Sequence, residues 1–200
     1  MSASPRDKYP RVEFNDRQAW RAWLAGHHAS WTGVWLVTFK KSSGKAMLSY
    51  DAAVEEALCF GWIDSTSNAV DEERAMLLYT PRKAGSGWSR PNKARIERLV
   101  AAELMMPAGQ AKIDDARADG SWMLLDAVED MIVPKDLAAA LAANESAQHG
   151  FEAFAKSVKK QLLQWVYTAK RPETRARRIE TIVEAAVEGR NPLQWKRKNW

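Results

Sequence analysis

Hydrophobic positions along this chain change their period about eighty residues in. Up to Pro81 they alternate in short runs, and beyond Ser89 they recur every three or four residues. In VWLVTFK, after Gly33, one face carries Val34, Leu36 and Thr38 and the other Trp35, Val37 and Phe39, the pattern of a strand buried on both sides. VEF at Val12 to Phe14 predicts a shorter strand. The runs WIDSTSNAV and RAMLLYTPR, either side of Asp71, Glu72 and Glu73, predict a hairpin. Its second arm sets Met76, Leu78 and Thr80 on one face and Leu77 and Tyr79 on the other, and Pro81 ends the ladder because it has no N–H to donate.

Two helices fall between these strands. Asn15 with Gln18 forms a capping box for a helix from Asp16 that carries Trp20, Trp23 and Leu24 on one face and ends at Gly26, His27 and His28. Ser49 or Asp51 caps the second, striped by Val54, Ala57 and Leu58 and stopped by Gly61. After Ser89 the chain reads as helical. Ser89 is an N-cap with Pro91 in the first turn and Ile96, Leu99 and Val100 as the stripe. PAGQAKIDDARADG is a helix closed by Gly120, PKDLAAALAAN another, and Phe151, Phe154, Val158, Leu162, Trp165 and Val166 keep helical spacing to about Ala169. Pro172 opens a last helix, stopped by Gly189. Strands first and helices after predict an α+β fold with a small, mainly antiparallel sheet. The expected division is a core domain over 1–133, a helical extension packed on it over 134–190, and a basic tail over 191–200.

Composition narrows the class. With 46% hydrophobic and 28% charged residues, disordered and fibrous readings are excluded. The single cysteine, Cys59, rules out an internal disulfide and fits a reducing compartment. The first residues lack the apolar run of an export signal and no stretch is long and apolar enough to span a bilayer, so the expectation is a cytoplasmic protein. Charge is uneven: from Lys156 onward twelve Lys and Arg stand against four Glu, a net +8, which leaves −3 for residues 1–155 of the formal +5. No feature fixes an oligomeric state.

GVWLVTFKK at Gly33 to Lys41, LSYDAAVEEALCFGWIDS at Leu48 to Ser65, YTPRK and WSRPNKARIERL between Tyr79 and Leu99, MPAG at Met106 to Gly109 and AKRPETRARRI at Ala169 to Ile179 follow one another in a chain that resembles the YdeI/OmpD-associated family, also described as bacteriocin-protection proteins. The resemblance implies a setting of defence against antimicrobial peptides, and it carries over no catalytic residue. Family descriptions include a periplasmic location, from which this chain departs in having no export signal.

Three functional readings follow from the residues. In the first, a cytoplasmic stress-protection protein binds a small anion in an aromatic and basic cleft. Arg82, Arg90 and Lys93, with Lys83, surround a predicted helix N-terminus at Ser89, where unpaired N–H groups and the helix dipole favour negative charge. The glycines of AGSG let a ligand approach, Trp88 offers a stacking face, Asn92 offers hydrogen bonds, and Lys40 or Lys41 joins from the strand end. Trp35, Tyr50, Trp62 and Asp64 complete the cleft. In the second reading the same cleft is an enzyme site of unknown reaction, with Asp64, Tyr50 or Lys40 moving protons; a salt bridge from Asp64 to Arg82 is the structural alternative. In the third, the basic segment 156–200, interleaved with Trp165, Tyr167, Trp195 and Trp200, binds a polyanion such as nucleic acid, unless its charges form a salt-bridged face. Cys59, near a helix C-terminus and two glutamates, reads as structural. His27, His28 and His149 show no metal spacing, and no cofactor motif is present.

Overall fold

The computed structural model describes residues 8–194. Strand β1 (Arg11–Glu13) leads into helix α1 (Arg17–His27), then strand β2 (Val34–Phe39), a 3-10 turn (Lys41–Ser43), helix α2 (Tyr50–Cys59) and the hairpin of β3 (Trp62–Ala69) and β4 (Arg74–Pro81). Helices α3 (Arg90–Ala101), α4 (Pro107–Ala118), α5 (Asp126–Glu129), α6 (Lys135–Ala142), α7 (Glu145–Ala153), α8 (Lys156–Tyr167) and α9 (Pro172–Val187) follow. The fold is α+β. It resolves into two compact units: the chain to Ser86 together with Pro91–Gly120, and Gly87–Arg90 together with the chain from Ser121.

In the first unit the four strands lie in the order β1-β2-β4-β3, with β1 and β2 parallel and the other pairs antiparallel. The tight turn before β4 is made by Asp71, whose Oδ1 accepts the backbone N–H of Glu73 and Arg74 while Oδ2 takes the Arg74 guanidinium. Alternation along the strands holds as the sequence indicates. Trp35, Val37 and Met76 form a buried cluster with Tyr9, Val70 and Leu78, whereas the register pairs Leu36 with Leu77 and Val34 with Tyr79 on the opposite face.

Helices α1 and α2 cover part of that second face. The Trp20 ring lies 5.3 Å from Tyr79, and its Nε1 donates to the Ala53 carbonyl at 3.1 Å. Glu56 of α2 is only 2% exposed and accepts from Arg17 at 2.5 Å and Arg21 at 2.6 Å, so the two helices are joined by a buried carboxylate with a cation on each oxygen. Ser49 caps α2 through Ala52 N–H, and Gly61, at φ +75°, turns the chain from α2 into β3 in a conformation that a side chain would strain. The α1 boundaries differ from the pattern: Asp16, not Asn15, is the cap, accepting from Ala19 N–H, and Gly26 stays inside the helix. A glycine carries no obligation to stop a helix when the next residue keeps a right-handed conformation, as His28 does at φ −56°.

The second unit is helical around Val128, Leu137, Leu141, Phe151, Leu162, Leu163, Val166 and Ile182. The single helix suggested from Phe151 to Ala169 is two. Asn144 caps α7 through Ala147 N–H, and Phe154 breaks it at φ −62°, ψ 140° before α8 begins at Lys156. The apolar spacing continues across the break because both helices bury that face in one core. Where α7 meets α9, Gly150 lies against the Ala186 carbonyl, so that a Cβ would occupy the position of that oxygen.

Two expectations follow. Gly150→Ala lowers stability by about 1–3 kcal/mol or more through overpacking, although Gly→Ala inside a helix ordinarily raises it. Gly26→Ala in α1, where nothing lies within 4 Å, raises it by about 0.5–1 kcal/mol. Denaturant unfolding of both variants reads the opposite signs. Glu56→Ala, which leaves two guanidinium groups facing each other, costs about 3 kcal/mol in the same assay, the arginines' partial exposure keeping the loss at the lower end.

Candidate functional site

Beyond the N-terminus of α2 the second sheet face is left open, and the space above it is a cavity of about 430 Å³. Leu36 and Thr38 of β2, Ala75, Leu77 and Tyr79 of β4 and Asp64 and Ser67 of β3 contribute to its lining. In an unbroken strand Asp64 and Ser67, three residues apart, would face opposite sides. The register slips between them: Asp64 pairs with Tyr79 and Ser67 with Leu77, so three residue steps on β3 oppose two on β4. This bulge brings both polar side chains to the cavity. Met47, Leu48 and Tyr50 close one side, and Lys40 and Lys41 stand at the end where β2 stops.

The polar groups fall into two sets. At one end Tyr50 Oη donates to Asp64 Oδ2 at 3.0 Å, and the Arg95 guanidinium lies 5.8 Å from the Tyr50 ring centre while pairing with Asp51 at 2.5 Å. Tyr79 is fully buried, and its hydroxyl has no hydrogen-bond partner among the described residues. Burial and then the neighbouring Asp64 charge push both phenols above their ordinary value, so each keeps its proton at neutral pH. At the other end Lys40 Nζ donates to the Asp71 carbonyl at 2.7 Å, and Lys41 is exposed.

Of the residues expected in one cleft, the cavity therefore gathers Lys40, Tyr50 and Asp64. Trp35 is on the opposite sheet face. Trp62 is buried under α1, edge-on to Trp23 at 6.3 Å, with Nε1 donating to the His28 carbonyl. Arg82 is 5% exposed and reaches the Ser86 carbonyl and hydroxyl at 3.5 Å; burial holds its guanidinium down at about 10, with Asp64 acting against that shift through space. Asp64 hydrogen-bonds Tyr50, the partner the salt-bridge alternative had assigned to Arg82. Asn92 accepts from Arg95 at 2.9 Å, and Lys93 follows it in the first turn of α3. Trp88 and Ser89 belong to the second unit, where Trp88 is buried 5.2 Å from Trp122. Tyr79, Ser67 and Arg95 were not singled out from the sequence, whereas Lys41 was the alternative to Lys40 at the strand end. Alternation places Tyr79 beside Leu77 and Leu36, so its face was readable; Ser67 depends on the bulge and was not.

Within the described part of the basic C-terminal segment, several cations are engaged inside their own unit. Arg175 grips Asp136 with two nitrogens at 2.6 and 2.9 Å, Lys160 pairs with Glu129 at 2.5 Å, and Arg178 donates to the Trp165 carbonyl while lying 5.2 Å from that ring's centre. Trp195, Trp200 and the cations between them lie outside the described residues. Cys59 is buried, and burial pushes its thiol up, as expected of a packing residue. No helix among the described residues is long and apolar enough to cross a membrane, and these residues contain no cluster of metal-ligating side chains.

Residues 12–112 match the family model described as Domain of unknown function (DUF8412). The chain belongs to that family. The matched stretch holds every strand but the first residue of β1, together with every cavity residue named above. Residues 130–189 match a second family model, described as Bacteriocin-protection, YdeI or OmpD-Associated. The YdeI/OmpD-associated resemblance is thus located in the helical unit, where AKRPETRARRI lies; the motifs from Gly33 to Gly109 fall in the DUF8412 stretch. No curated protein and no solved structure matches the chain.

The raised phenols carry a pH signature. A phenol whose folded value lies above its free value of 10.0 contributes stability that is complete below that pH and is lost as pH climbs through the folded value. Tyrosinate absorbance followed through alkaline titration therefore shows two of the four tyrosines ionising late. Tyr50→Phe and Tyr79→Phe each remove one late step.

Proposed function

We propose that the protein is a binding protein for a small organic anion, held in the sheet cavity of its DUF8412 domain with the charged group at Lys40 and Lys41 and an apolar body over Leu36 and Leu77. The observation that carries the reading is the cavity itself. It is a pocket of ligand size, apolar in the middle and polar at its ends, with a buried Tyr79 hydroxyl that the protein leaves without a partner. A buried hydroxyl with no partner costs about 1–3 kcal/mol, and a bound ligand atom relieves that cost. The bacteriocin-protection description of the model matched by the helical unit supports stress protection as the setting in which binding serves.

The second reading, an enzyme, draws on the 3.0 Å contact of Tyr50 with Asp64. A carboxylate and a proton donor do meet in the cavity. Their arrangement favours binding, because a phenol held protonated by burial and by a carboxylate is a poor base. Conversion of a bound ligand, lost in Tyr50→Phe while binding persists, would replace the binding reading with the enzymatic one.

Thermal-shift screening of carboxylated and phosphorylated small molecules tests the proposal. A true ligand raises the melting temperature in proportion to the logarithm of its concentration. The Lys40→Ala, Lys41→Ala double variant, both positions lying at the end of an edge-exposed turn, keeps its fold and weakens binding by about tenfold or more. An unchanged shift in the double variant, or no shift with any anion, counts against the site.

A further inference from the structure

Resting on that reading, the end of the cavity away from the lysines adds a second requirement on the ligand. Asp64 hydrogen-bonds Tyr50 through Oδ2 alone, and its Oδ1 accepts nothing among the described residues. The Tyr79 hydroxyl on the paired rung is buried and equally unengaged. A carboxylate oxygen with a phenolic oxygen beside it that can also accept suits a ligand group rich in N–H donors, which an amino group supplies and a plain carboxylate does not. The apolar span between the two ends is real: four residue steps separate Tyr79 from Ala75, about 13 Å of strand, and Leu77 and Leu36 form the floor between them. Opposite charges at the two ends of an apolar trough select a molecule with the complementary charges at its own ends.

We infer that the ligand is bipolar, with an amino group at Asp64 and Tyr79, an anionic group at Lys40 and Lys41, and an apolar spacer between them. Its chemical class is that of an amino carboxylate whose two charges lie at opposite ends of the molecule.

Calorimetry with three homologous series reads this directly: unbranched ω-amino carboxylates of increasing length, the carboxylates lacking the amine, and the amines lacking the carboxylate. At one spacer length the amino carboxylate binds at least about tenfold more tightly than the carboxylate of the same length, and shorter or longer members lose that gain. Asp64→Asn, isosteric with the native residue, removes the gain and leaves carboxylate binding in place. Tyr50→Phe, which frees Oδ2 without removing the charge, keeps it. The inference is overturned if the plain carboxylates bind as well as the amino carboxylates at every length, or if Asp64→Asn preserves the gain. Failure of the cavity reading has a different signature: no member of any series binds, or binding ignores the lysine double variant.

Discussion

Glu56 is the group on which the first unit depends. A carboxylate at 2% exposure survives because Arg17 and Arg21 each take one oxygen, and those arginines belong to α1 while Glu56 belongs to α2. The clamp fixes the angle at which α2 leaves the sheet. It is reinforced by the Trp20 bond to the Ala53 carbonyl one turn earlier. With α2 set in this way, its first residue, Tyr50, reaches the edge of the covered area and stands over the open part of the sheet. The cavity is therefore a consequence of two helices that are shorter than the face they cover.

A single irregularity in β3 decides which of its polar side chains join that uncovered area. Without the bulge, Ser67 would join the opposite face and Thr66 would take the place beside Asp64. Because the bulge also moves Ser65 and Thr66 outward as exposed residues, β3 pairs at both ends while its middle is free of the ladder. Sheet edges carry such features where a side chain has to be aimed, and here the side chains it aims are the ones facing the cavity.

The sequence made the strands, their faces and most helix starts legible because each rests on a local rule. Alternation in VWLVTFK and RAMLLYTPR decides which side chains share a face, and Ser49, Gly61 and Pro172 act within one turn of where they stand. The same rules recovered Lys40, Tyr50 and Asp64 as lining one cavity, since all three stand at or near the ends of elements that local patterns had already placed. They misplaced Trp35 and Trp62, because an aromatic ring that packs a core and one that lines a cleft have the same local signature, and only the covering helices tell them apart. The bulge, the break at Phe154 and the close approach at Gly150 depend on what lies across the sheet or helix interface, which no local spacing contains.

Charge shows the same division between what is local and what is not. The net +8 after Lys156 is a property of composition, but a field requires charges that face solvent without an opposite neighbour. Arg175, Lys160 and Arg178 spend their donors on Asp136, Glu129 and the Trp165 carbonyl, two of them on acids that precede residue 156 and so escape a count that starts there. In the cavity the reverse holds. Lys40, Lys41 and Asp64 contribute little to net charge, yet they line one cavity with the lysines at one end and the carboxylate at the other. Position along the sheet face, more than total charge, decides where opposite charges stand in this cavity.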